Sequence, residues 1–204
     1  MVSAIASPSS VSKKKIPAYL IKEEFDGIPL YYKGYREVML GKKTLEDIMP
    51  SSSIHSVVLF YIAILLGKKI NEDRYWLLGA ELGMHTASNK KAGLDIAIFE
   101  KSVLTPDQFN RHFTKAAPKI VIEVDVDVES DFMSADDIIQ FRTRKLLDSG
   151  VEKIIWVFTL SRMIMVAEPS QDWRIFDWNR DVEVLDGISF NVGAYLESNR
   201  ISNF

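Results

Sequence analysis

Two acids interrupt stretches that are otherwise apolar: Leu94-Asp95-Ile96-Ala97-Ile98-Phe99 and Ile120-Val121-Ile122-Glu123-Val124. Apolar residues on both faces mark strands covered from both sides. A carboxylate there is costly unless it is paired, hydrogen-bonded or bound to a cation. Two such acids on separate strands point to one shared cation. Alternation puts Asp95 on a face with Ala97 and Phe99, and Glu123 on a face with Val121 and Asp125. If the strands are neighbours, the two carboxylates converge. With a strand carbonyl such as that of Val124, and with water, they make an oxygen-only site that suits Mg2+ or Mn2+ rather than zinc. A metal held there would activate water and neutralise charge on a phosphodiester.

A cation is expected beside these acids. The spacing predicts a helix from Ala135 to Ser149, ending at Gly150, with Ile138, Ile139 and Leu146 as its apolar stripe. Arg142 lies in the middle of that stripe, Lys145 at its edge, and Arg144 points away. A guanidinium on the sheet-facing side needs a partner. The candidates are the carboxylate pair, a substrate phosphate, or a structural Arg–Glu salt bridge.

Between Glu123 and Asp137 the chain carries seven acids and no Lys or Arg. The plain reading is a solvated acidic loop, with Asp136 and Asp137 stabilising a helix N-terminus, in preference to a second metal site. Asp125 is set apart because it shares the side of Glu123. Glu81, at the end of the preceding strand, is a further candidate acid, against the plainer reading of a surface strand-end glutamate. His55, His85 and His112 have no mutual metal spacing and read as polar contacts. Ser51 to Ser53 reads as a helix cap, not a nucleophile. No phosphate loop or dinucleotide fingerprint is present.

The elements that must position these residues follow from pattern. With 204 residues the chain suffices for one domain, expected over 17–204 behind a Ser- and Lys-containing disordered tail over 1–16. There is no Cys, hence no disulfide framework and no thiolate chemistry, which fits an intracellular, cytoplasmic protein. The formal net charge of -3 means that any nucleic-acid contact must use a local basic patch. The apolar run from Val57 to Leu66 is too short to cross a bilayer, so no membrane is expected. It reads as a helix stopping at Gly67, buried in the core or packed against another subunit. Glu23 to Gly27 reads as a turn, Ile28 to Tyr32 as a short strand, and Leu45 to Met49 as a short helical piece before Pro50. Tyr75 to Leu82 precedes the Asp95 strand, and residues 101–118 form a polar connection to the Glu123 strand. After the Arg142 helix, Val151 to Thr159 and Met163 to Ala167 suggest a hairpin. Trp173 to Trp178 and Val182 to Phe190 are short strands, and Val192 to Ser198 closes the chain as a helix. The order describes an α/β sandwich around a mixed sheet.

Taken in order, Asp95, Glu123-Val124, a helix cation and Gly150-Val151-Glu152-Lys153-Ile154-Ile155-Trp156 resemble the Uma-type family of restriction-endonuclease-like proteins, within the PD-(D/E)XK nuclease superfamily. Its signature is an acid in a "PD-hydrophobic" strand, a "hydrophobic-EV" strand, and a helix lysine eight residues before "GV…W". Phe25-Asp26-Gly27-Ile28-Pro29, Tyr32-Lys33-Gly34-Tyr35, Leu45-Glu46-Asp47-Ile48-Met49-Pro50-Ser51-Ser52 and Asp177-Trp178-Asn179 also look like a subgroup of it. The resemblance spans Ala18 to Leu196. It implies an α/β, restriction-endonuclease-like core, a mixed β-sheet flanked by helices, with an N-terminal β/α extension. It also implies Mg2+ (or Mn2+) at Asp95, Glu123 and Val124, catalytic roles for Asp95, Glu123, Arg142 and Lys145, and hydrolysis of DNA phosphodiesters by a homodimer. Three residues depart from the pattern: Leu94 replaces the proline, Asp125 the lysine of "EXK", and Arg142 the helix lysine. Arginine stabilises developing phosphate charge but does not release a proton at ordinary pH, which leaves Lys145 as the substitute amine. Two rivals stand beside the nuclease. One is a non-catalytic scaffold of the same fold, favoured by the apolar helix and the missing lysine. The other is a metal-dependent hydrolase of small phosphoesters, favoured by the negative net charge.

Overall fold

A computed structural model describes residues 15–25, 27–85 and 91–202, without the side chains of Ala80, Glu81, His85, Lys91 and Ala92. The expected tail falls mostly on 1–14, outside the described residues. Ile16, its last member, packs against Leu20, Tyr31 and Tyr35.

Six strands form the central sheet: β3 (Tyr75–His85), β4 (Lys91–Glu100), β5 (Ile120–Val124), β7 (Lys153–Phe158), β8 (Met163–Ala167) and β9 (Arg174–Asp177), in spatial order β3-β4-β5-β7-β8-β9. All neighbours are antiparallel except β5 and β7. A parallel pair needs a crossover, supplied by α3 (Ala135–Asp148). Both sheet faces are covered, which explains why the strands are apolar on both sides. Ile96, Ile98, Ile120, Ile122, Val124, Ile155 and Val157 meet α2 (Ser53–Lys69), the hairpin β10 (Val182–Leu185) and β11 (Ile188–Phe190), and α4 (Val192–Ser198). Ala97, Phe99, Val121, Ile154 and Trp156 face Ile138 and Leu146 of α3 and Phe25 and Leu30 of the N-terminal unit. That unit is β1 (Ile21–Phe25), β2 (Ile28–Tyr32) and the two-residue β6 (Val128–Glu129), followed after β2 by the short α1 (Tyr35–Met39). The architecture is the mixed α/β core with an N-terminal β/α extension that the sequence leads one to expect.

Local differences have physical causes. Glu23 to Gly27 is no turn: Ile21–Phe25 is a strand, and the reversal needs only the residues around Gly27, whose φ is 81°. Leu45 to Met49 makes a single bonded turn rather than a helix, pinned by Asp47 Oδ2, which accepts from the Thr44 N–H (2.8 Å) and hydroxyl (3.0 Å). The Ser52 side chain caps α2 by accepting from the His55 N–H (3.2 Å), but the helix runs through Gly67 to Lys69. Lys68 and Lys69 suit the negative end of its dipole. One face of α2 (Val58, Ile62, Leu66) is buried, while Phe60 and Ile64 stand exposed, so the helix is half-covered rather than engulfed. Among the described residues, no helix is long and apolar enough to cross a membrane.

Candidate active site

The register Ile96↔Ile122, Ala97↔Val121, Ile98↔Ile120 pairs β4 with β5. Its next step sets Asp95 opposite Glu123, on the sheet face that α3 covers. Asp95 Oδ2 accepts the N–H of Val124 at 2.9 Å. The structure therefore brings Asp95, midway along β4, together with Glu123 and the Val124 backbone at the end of β5.

Arg142 enters from α3. It is 2 % exposed, and its Nη2 donates to Glu123 Oε2 (3.3 Å), Glu23 Oε1 (3.2 Å) and the Gly93 carbonyl (3.4 Å). Its guanidinium lies over the Trp156 ring, 5.1 Å from the centroid, and Trp156 in turn donates to Thr143 Oγ1 (2.9 Å). Of the partners weighed from sequence, the geometry is that of the buried Arg–Glu salt bridge, with Glu23 as an unforeseen second arm. Lys145, half-buried one turn along, holds its ammonium 5.8 Å from the Phe141 ring centroid. The Glu81 side chain lies outside the described residues.

Asp125 does not share the side of Glu123. Its φ of 59° breaks the strand alternation, its N–H donates to the Val157 carbonyl (2.8 Å), and its carboxylate accepts from the Thr159 N–H and hydroxyl (both 2.7 Å). Asp125 ties two strand ends together, and Asp127 takes the place expected for it. Asp127 pairs with Lys22 of β1. His55, in the first turn of α2, brings Nε2 to 3.9 Å from Asp95 Oδ2. Asp125, Asp127 and His55 line a groove of about 850 Å³, with Lys22, Lys33, Asp136 and Thr159 also among its walls.

Sequence reasoning missed Glu23, Asp127, Lys22 and His55 as site residues. For Glu23 a signal existed: it lies two residues before the fully buried Phe25, so period-two alternation points it inward. For Asp127 and His55 none did, because a left-handed residue and a tertiary contact place them.

The electrostatics are unbalanced. Burial pushes the carboxyl of Glu123 well above the usual range, and Arg142 offsets this only in part. Glu23 is also raised, by burial first, with Arg142 opposing. Asp95 is raised by burial, against the Val124 N–H and His55. Burial acts upward on Asp127 too, but the charge and hydrogen bond of Lys22 outweigh it and hold this carboxyl low. Of these four carboxyls only Asp127 is held low, and the two neighbouring cations, Arg142 and Lys22, do not offset the burial of the other three. Glu123 Oε1 and Glu23 Oε2 are buried with no hydrogen-bond partner among the described residues. Among the described residues no three His, Asp or Glu side chains form a ready metal cage. Mg2+ does not require one, because it is held by one or two carboxylates, water and substrate phosphate. The donor set therefore fits such an ion: Asp95 and Glu123 would hold it. When bound it would supply a polarised water and neutralise phosphate charge.

The sheet order, the β5-α3-β7 crossover and facing acids on two adjoining strands define a nuclease-like α/β fold. The structure is similar to the crystal structure of a "putative nuclease belonging to DUF820" from Anabaena variabilis ATCC 29413, with a TM-score of 0.63 and 16% identity over 86% of this chain and 89% of that one. No family model matches the chain, and no curated protein does.

Proposed function

We propose that this chain is a divalent-metal-dependent nuclease that hydrolyses DNA phosphodiesters. The observation that carries the reading is the partnerless, buried Oε1 of Glu123, on a strand paired with that of Asp95. The fold shared with a protein described as a "putative nuclease" supports it. In this reading Asp95 and Glu123 hold Mg2+ or Mn2+. Arg142, locked between Glu23 and Glu123, is a positioning residue that fixes the Glu123 rotamer. Lys22 and Lys33, on the groove wall, meet substrate phosphates. Asp127 sets the position of the Lys22 ammonium, and His55 stands beside Asp95 on the groove wall.

The test is calorimetric titration of Mg2+ and Mn2+ into the wild type, Asp95→Ala and Glu123→Ala, alongside DNA digestion. Saturable binding and cleavage should both disappear in the two variants. Full metal-dependent cleavage by either variant, folded normally, would overturn the assignment.

A second reading has its own observation. Arg142 already occupies one oxygen each of Glu23 and Glu123, as an internal cation would. This favours a catalytically silent nuclease-fold scaffold, and a folded protein that binds no divalent ion even with DNA present would select it.

A further inference from the structure

The loop between β4 and β5 concentrates positive charge in a chain whose net charge is negative. From Phe109 to Lys119 it holds Arg111, His112, Lys115 and Lys119 and no acid. Lys119 is consumed by Glu100 (3.0 Å) and Glu152 (2.7 Å). Arg111 and Lys115 are exposed and, among the described residues, pair with no carboxylate. Two phenyl rings stand among these cations, with Phe109 48% and Phe113 39% exposed.

The rings and cations are held in place by the backbone beneath them. The Thr114 N–H donates to the Gly83 carbonyl (3.1 Å), which docks the loop on β3. The Asn110 amide donates to the Gln108 carbonyl (2.8 Å) and accepts from the His112 N–H (2.7 Å). Phe109 meets Trp76 edge-on, with centroids 5.4 Å apart, while the Lys101 ammonium covers the Trp76 ring at 3.8 Å. Phe113 occupies the space above Gly83, where a Cβ would come within 1.6 Å of its ring. Gly83 pairs with Gly93, whose carbonyl accepts from Arg142. The loop therefore lies one strand pair from the buried acids.

Ordered, partly exposed phenyl rings interleaved with unpaired cations match one ligand class, a polyanion that also presents flat aromatic faces. We propose that residues 109–115 bind single-stranded nucleic acid, with bases against Phe109 and Phe113 and phosphates on Arg111 and Lys115. Duplex bases are already stacked and do not offer their faces in this way. The proposal does not depend on the metal-site reading, because binding here needs neither metal nor hydrolysis.

The experiment is fluorescence anisotropy of labelled oligo(dT) with the full chain in EDTA, across a range of salt concentrations. Saturable binding that weakens with salt is expected. Arg111→Ala with Lys115→Ala should weaken it about tenfold and flatten the plot of log K against log salt by about 1.4, or roughly 0.7 per lost phosphate contact. Phe109→Ala should weaken binding about fivefold or more through lost stacking. If Phe109→Ala fails to fold by circular dichroism, the double charge variant decides alone. Absence of binding, wild-type affinity in the double variant, or equal capture of duplex DNA, heparin and phosphatidylserine vesicles would overturn the proposal.

Discussion

Two stretches flank β5 and carry opposite charge, and the fold treats them differently. Downstream, the acids of 123–137 are almost all engaged. Asp125 holds Thr159, Asp127 pairs with Lys22, Glu129 and Asp131 pair with Arg36, and Asp137 closes the capping box of α3. Tyr35 adds a hydrogen bond to Asp131. A stretch that reads as a solvated acidic loop is in fact the seam between the N-terminal unit and the central sheet. Upstream, Arg111 and Lys115 pair with no carboxylate among the described residues. Charges that the fold has used stabilise it, and charges left unpaired on an ordered loop are available to a ligand. Net charge, being a sum over both stretches, hides this division.

The comparison breaks most readily at Arg142, which joins the acidic seam to the buried acids. Arg142→Met would leave Glu23 and Glu123 buried without a counter-charge. Loss of one partner of a buried ion pair costs about 3–5 kcal/mol. Urea denaturation should show that loss near neutral pH, with partial recovery in acid, where both glutamates bind protons and the charge disappears. An equal loss at both pH values would mean that packing over Trp156, not charge, is the dominant contribution.

A smaller effect follows in the wild type. Glu23 and Glu123 have raised folded-state pKa values. Above the usual glutamate range the unfolded chain has released protons that the folded chain still binds. Stability therefore falls as pH rises from that range through the raised values. Asp127 is held low, so its contribution has the opposite sign and is lost only on strong acidification. Denaturation midpoints in chelator should thus decline from mildly acidic to neutral pH, and Mg2+ or Mn2+ should flatten that decline by replacing the protons. A metal-insensitive profile would count against ion binding at the acids.

Much of this site can be read in the chain, for a reason that also marks where reading stops. Asp95 and Glu123 stand out because burial on both strand faces makes any acid conspicuous, and Arg142 because it sits inside an apolar helical stripe. Glu23, which completes the ion pair, lies 119 residues from Arg142. It was obscured by neighbouring acids and Gly27, which mimic a turn. Asp125 leaves the side of Glu123 for Thr159, and Asp127 leaves the solvated loop expected of it for Lys22, because a single φ of 59° resets the alternation, and residue spacing carries no record of that. The β-strand pattern of the central sheet was clear for the same reason as its acids, whereas the five-residue α1 was not, being too short for helical periodicity to show.

Within the seam itself, Ser134 offers a mild test. Its hydroxyl accepts the Asp137 N–H (3.2 Å) and donates to Asp137 Oδ2 (2.6 Å) at the start of α3. Ser134→Ala should cost about 1 kcal/mol, measurable as a lower urea midpoint, with Arg142 still in place. The least effect on folding is expected at the opposite stretch. Arg111→Ala and Lys115→Ala remove exposed cations that pair with no carboxylate among the described residues, so urea midpoints should shift by no more than about 0.5 kcal/mol in equivalent stability. A larger loss would mean that these cations support the loop as the acids support the seam, and the contrast between the two stretches would fail. With folding unchanged, any drop in oligo(dT) affinity in these variants comes from the surface alone, which is what a ligand-facing charge must show.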